Sequence, residues 1–192
     1  MASTSLPVPS QLQLAVLRSA ASYVGLSEVK SNDRWDDLAT KGPDASADRL
    51  RKGLLTIGWE PGYAYCIGFT KLIWREAFTA VGRAADFASL SRLIGLGVVD
   101  SFNRLREAGR ITTAPKPGAM FFLRHGTTGN GHAGIGVAFG TKEFATIEAN
   151  TSPTSADVAK DREGDGIYAK TRPLDYTKRA SGLYLLGFCN PE

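Results

Sequence analysis

Cys66 lies in Pro61-Gly62-Tyr63-Ala64-Tyr65-Cys66-Ile67-Gly68-Phe69, directly ahead of a stretch with helical spacing. A thiol at a helix start meets the positive end of the helix dipole and free backbone N–H groups. Both favour the thiolate, which is the nucleophilic form. Downstream come Gly131-His132-Ala133-Gly134-Ile135-Gly136-Val137 and Thr146-Ile147-Glu148-Ala149-Asn150. A thiol, an imidazole and an acid or amide are the parts of a cysteine-nucleophile site. The histidine takes the thiol proton and later gives it to a leaving amine. The third group fixes the tautomer and orientation of the imidazole. The chemistry expected is cleavage of an amide bond, with the Cys66 backbone N–H helping to bind the oxyanion. A buried inert cysteine is the competing account. The Pro-Gly approach and the helix start favour the reactive one. Tyr65, Gly131 and Gly134 flank the reacting groups and are expected to contact substrate.

On a strand, His132, Gly134 and Gly136 share one face, and Ala133, Ile135 and Val137 share the other. The apolar face is expected to pack on the core, leaving the glycine face as an open groove wall. His125, in Arg124-His125-Gly126-Thr127-Thr128-Gly129-Asn130, is a rival base, but its surroundings read as an exposed loop. Glu148 and Asn150, two apart on a strand, point the same way. A hairpin through Gly140-Thr141-Lys142-Glu143 would bring one of them to the outer imidazole nitrogen. Without that register they would be the solvated face of an edge strand.

The elements that must position these groups follow from patterning. Residues 1–10 read as a loose arm and 11–192 as one catalytic domain, a length that suits a single core. Gln11 to Tyr23 has helical period with Ser10 as N-cap. Residues 31–44 read as a polar loop or short helix, and 45–55 as another short helix. The helix from Cys66 ends at Gly82. Helical stretches follow near 85–93 and 98–108, with Gly109 at a C′ position. Five strands are expected, at 119–123, 132–139, 144–150, 166–171 and 182–188. Helices first and strands second predict an α+β domain with N-terminal helices packed on a mostly antiparallel sheet of about five strands.

The formal charge of +4 and the pI near 9.1 suit an anionic partner. No basic run interleaves with aromatics, so nucleic acid is not expected. The 2 cysteines make no CxxC pair and no disulfide framework. The first thirty residues lack a charged n-region and an apolar h-region, and no apolar run has transmembrane length. Synthesis in the cytoplasm without membrane insertion is therefore expected.

These motifs resemble the CHAP group of NlpC/P60-related cysteine peptidases and amidases. The start of that family's catalytic helix is similar to Tyr65-Cys66-Ile67-Gly68-Phe69. Its Pro-Gly strand resembles Pro117-Gly118-Ala119-Met120-Phe121-Phe122, its Gly-His strand resembles Gly131 to Val137, and its Ile-Glu-Gly-Asn-Thr segment resembles Ile147 to Thr151. Ala119 stands where the family often has aspartate, and Ala149 where it often has glycine. The resemblance spans roughly residues 11–190. It implies a papain-like fold and a peptidoglycan hydrolase, either N-acetylmuramoyl-L-alanine amidase or stem or cross-bridge endopeptidase. Cys66 would be the nucleophile, His132 the base, Glu148 the third member and Asn150 a helper.

No metal or cofactor is expected. Asp33, Asp36 and Asp37 lack EF-hand spacing, and the cysteines and histidines make no zinc site. Without a leader, such an enzyme would reach the cell wall as a phage lysin, a tail protein or an effector carried by a delivery machine, and an inhibitory immunity protein is a conceivable partner. A non-catalytic wall-binding module and a Cys-dependent acyltransferase are the alternatives on the same fold.

Overall fold

A computed structural model describes residues 8–37, 45–152 and 164–192. Its organising element is helix α3 (Cys66–Ala80), numbered as the third after α1 (Gln11–Ala21) and α2 (Ala45–Thr56). Ile67, Phe69, Leu72, Ile73, Trp74, Ala77 and Phe78 are buried, so α3 is apolar around most of its circumference and sits in the centre of the core. Helix α1 packs on it through Leu12, Val16 and Ala20. Ser10 caps α1 in a full capping box: its hydroxyl accepts from Gln13 N–H, and the Gln13 side chain accepts from Ser10 N–H. Helices α4 (Ala84–Ser91) and α5 (Val98–Glu107) follow. Gly82 and Gly109, at φ +76° and +67°, occupy the left-handed position after α3 and α5 as the sequence predicts.

The sheet is open, wholly antiparallel and eight-stranded. Its strands are β1 (Leu26–Lys30), β2 (Arg34–Asp37), β3 (Ile111–Thr112), β4 (Met120–His125), β5 (Gly131–Phe139), β6 (Glu143–Thr151), β7 (Gly166–Pro173) and β8 (Leu183–Cys189), in the order β2-β1-β7-β6-β5-β4-β8-β3. The five expected strands are β4 to β8. The expected count is corrected from about five by a hairpin, β1–β2, at one edge and the two-residue β3 at the other. β1–β2 replaces much of the anticipated polar loop, whose remainder, 38–44, lies outside the described residues. Its few apolar positions, Leu26, Val29 and Trp35, are too sparse to announce a strand pair.

Alternation along the strands builds two cores. Met120, Phe122, Ala133, Ile135, Ile147 and Ala149 face the helices. Phe121, Leu123, Phe144, Leu183, Leu185 and Phe188 form a second cluster from the opposite rows. There Phe144 meets Phe121 and Phe188 edge-on, at 5.4 and 5.2 Å between centroids. The apolar row of β5 thus packs as expected, but the glycine row is not an open groove wall. A Cβ on Gly134 would lie 2.6 Å from the Phe121 ring and 2.9 Å from Ile147 O, and one on Gly136 would lie 2.4 Å from Phe139. These glycines admit neighbouring protein.

Candidate functional site

The β5–β6 hairpin turns through Gly140 and Glu143, and its register sets Glu148 opposite Gly134, diagonal to His132 on the same face. Glu148 Oε2 therefore meets His132 Nε2 at 2.9 Å. The other ring nitrogen remains for Cys66, whose thiol lies within hydrogen-bonding reach of the imidazole. Tyr65 is the N-cap of α3 and gives no side-chain cap. The first helical bond runs from Phe69 N–H to Tyr65 C=O, so the N–H groups of Cys66, Ile67 and Gly68 are the helix's orphan donors. The Ile67 N–H, together with that of Ala133 on β5, points at the sulfur.

Glu148 is wholly buried, and its charge is held by a donor set that the sequence does not announce. Arg172 donates Nε to Oε1 at 2.8 Å and Nη2 to Oε2 at 2.5 Å. Thr146 donates its hydroxyl to Oε1 at 2.6 Å. Arg172 starts opposite Phe144 on β7 and runs along the row that Phe144, Thr146 and Glu148 share. The result is a buried relay, Arg172–Glu148–His132–Cys66, with a fork geometry at the first link.

The electrostatics follow from these contacts. Burial alone would raise the Glu148 pKa, but Arg172 and then His132 overcome it and hold the carboxyl well below its usual range. Burial would likewise lower His132, yet the Cys66 and Glu148 partners lift it to about 9. Burial would raise Cys66, but the His132 bond and charge, helped by the Ala133 and Ile67 N–H groups, lower it. These shifts run in the direction of a thiolate–imidazolium pair backed by a carboxylate. Cys66 keeps 6% of its surface exposed and His132 1%, so approach to the site is from the sulfur side.

Asn150 behaves differently from expectation. It has φ +58°, and the β6–β7 register slips between Ala149 and Thr151, so it forms a bulge. The imidazole's outer nitrogen goes to Glu148, while the Asn150 backbone N–H faces the Tyr65 hydroxyl. Asn150 is thus a neighbour of the residue before the nucleophile, and Glu148 is the group that meets the outer imidazole nitrogen. Tyr65 is itself fully buried beneath Trp35. A Cβ on Gly131 would lie 2.2 Å from Leu123 O and 3.0 Å from Val98, so Gly131, like Gly134, lets neighbouring protein pack close. His125 ends β4, with its backbone in the turn to Asn130. Cys189 is buried on β8, and neither cysteine is in a disulfide. Among the described residues, no helix is long and apolar enough to cross a membrane and no group of three or more His, Cys, Asp or Glu is placed to hold a metal ion.

No family model, no curated protein and no solved structure matches this chain.

Proposed function

We propose that the chain is a cysteine-dependent amide hydrolase of papain-like type that cuts the peptide part of peptidoglycan. The observation that carries the chemistry is the buried line from Arg172 through Glu148 and His132 to Cys66 at the start of α3. The peptidoglycan substrate rests on the motif resemblance, and the net charge of +4 suits an anionic wall. An inhibitory partner would act at the sulfur side.

The Cys66 thiolate attacks the amide carbonyl carbon, forming a C–S bond while the C=O electron pair moves onto oxygen. The orphan N–H groups at the α3 start, that of Cys66 among them, receive that oxyanion. The His132 imidazolium gives its proton to the amide nitrogen, the C–N bond breaks and the amine leaves. Water then attacks the thioester and yields its proton to His132. The C–S bond breaks, leaving free acid and the starting thiolate–imidazolium pair. Glu148 stays ionised throughout and steadies the imidazolium, as Arg172 steadies Glu148.

The test is digestion of purified peptidoglycan by wild type and Cys66→Ala, with released ends identified by mass spectrometry. Wild type should yield paired new carboxyl and amino ends, and Cys66→Ala should yield none. Equal digestion by both would overturn the proposal. New amides in place of acids would make the enzyme a transferase, and no thiol-dependent product from wild type would leave a binding module.

A further inference from the structure

One short segment ahead of α5 touches the neighbours of both reacting groups. Leu96 lies against the first turn of α3: a Cβ on Gly68, two residues past the nucleophile, would be 3.7 Å from its Cδ2. Val98 lies against the start of β5: a Cβ on Gly131, the residue before His132, would be 3.0 Å from its Cγ1. The segment is fixed from behind. Ser101, buried on α5, accepts the Gly95 N–H at 3.0 Å and donates to Gly97 O at 2.7 Å. Leu96 is nonetheless 40% exposed, a large apolar side chain left at the rim.

Two cations stand on adjacent residues of this segment. Lys71, one turn beyond Gly68 on the same side of α3, donates Nζ to Ile94 O at 2.7 Å. The Arg104 guanidinium lies over Gly95, where a Cβ would be 2.8 Å from Nη2. Arg104 pairs with Asp100 one turn back on α5, but its Nε is buried and makes no hydrogen bond. Lys71 is half-buried, and the charge acting on it is that of Arg104. Burial and then this like charge hold its ammonium below the usual lysine range. An ammonium and a guanidinium both carry more donors than these bonds use.

The pair defines a complement. A carboxylate accepts from both cations and offsets their repulsion, while Leu96 offers an apolar surface to the carbon chain that carries it. A short aliphatic stem ending in a carboxylate is the chemistry of an acidic amino-acid residue. The helix rise puts Lys71 about 7–8 Å along α3 from Cys66, roughly the span of two extended residues. A substrate lying across Leu96 therefore brings such a residue to the cations while its amide is at the sulfur.

We propose that Leu96, Lys71 and Arg104 form a subsite for an acidic residue of the substrate, with its stem on Leu96 and its carboxylate between the two cations. The subsite rests on the hydrolase proposal for its connection to a cleaved bond; its ligand chemistry stands on the cation pair and the exposed leucine. A residue whose carboxyl is amidated leaves the two cations facing each other and is disfavoured.

The test has two arms. First, glutarate and its diamide are titrated into the full chain at constant ionic strength while the Gly95 and Leu96 amide resonances are followed by NMR. Glutarate should shift them saturably, the diamide should not over the same range, and Lys71→Gln should weaken the response at least tenfold. Equal responses to both compounds, no response to either, or an equal response to sulfate would overturn the subsite. The diamide control needs no mutation, so a folding defect in Lys71→Gln does not blur the outcome. Second, muropeptides whose side carboxyls are free or converted to carboxamides are offered to wild type. At least tenfold higher kcat/KM on the free form, carried by KM, supports the subsite; equal cleavage of both refutes it while leaving the hydrolase intact. A saturable glutarate titration with no cleavage of either form refutes the hydrolase and leaves the anion site standing.

Discussion

Replacing Arg172 with leucine should damage both stability and the upper pH limit of activity. Glu148 accepts four hydrogen bonds, two of them from the guanidinium, in a place with no solvent. Removing one partner of a buried ion pair costs about 3–5 kcal/mol, because the survivor is left uncompensated. For a domain of this size, that corresponds to a fall in Tm on the order of 10 °C. The imidazole is affected next. Its rise from 6.5 to about 9 represents about 3 kcal/mol in favour of imidazolium, shared between Cys66 and Glu148. With Arg172 gone the carboxyl ionises less readily, imidazolium loses support, and the alkaline limb of kcat/KM must move to lower pH. Arg172→Lys should fall between, keeping charge without the fork. The double variant Arg172→Leu/Glu148→Gln should recover part of the Tm but not the activity, since no charge is stranded. Circular dichroism melts and pH–rate profiles on all three variants provide the check. An Arg172→Leu protein with unchanged Tm and an unmoved alkaline limb would refute the reasoning.

Wild-type kcat/KM should follow a bell, its acid limb set by a thiol below its ordinary value and its alkaline limb near 9 from His132; an alkaline limb unaffected by His132→Ala in residual activity would contradict this. The pair also contributes to stability. The imidazole part is complete below about 6.5 and lost as pH rises through 9, while the thiol part is complete above about 8.5 and lost as pH falls. The Tm difference between wild type and Cys66→Ala should therefore plateau between these values and shrink on either side. Gly134→Ala should cost about 1–3 kcal/mol in urea unfolding, because its Cβ would strike Phe121 and the Ile147 carbonyl; an unchanged midpoint would mean the packing is looser than described. Iodoacetamide at pH 6 should label Cys66 and spare Cys189, whose thiol burial raises to about 11, and Cys189→Ser should retain activity; mass-spectrometric peptide mapping reads the first and a digestion assay the second.

What the sequence discloses depends on whether a signal is local. Ser10, Gly82 and Gly109 mark helix ends by short-range chemistry, and each stands where expected. His132 and Glu148 are legible together because a four-residue hairpin fixes their register. Arg172 is not, because the long connection between β6 and β7 leaves that register open. Its only trace is the alternation Tyr168, Lys170, Arg172 on one row of β7. Asn150 misleads for the opposite reason: strict alternation places it beside Glu148, and one bulge residue breaks the count. The glycine row of β5 reads equally well as groove or as packing, and only the second aromatic cluster decides between them.

A sulfur whose surroundings favour its ionised form is also the atom most readily attacked by peroxide. The chain's only other thiol is on β8, two strands from the strand of His132, or roughly 10 Å across the ladder, and sealed in the interior. Oxidised Cys66 therefore has no internal partner with which to form a reversible disulfide. Its recovery from the sulfenic state depends on a small external thiol, which makes reductant in the buffer a determinant of how long the protein stays reactive.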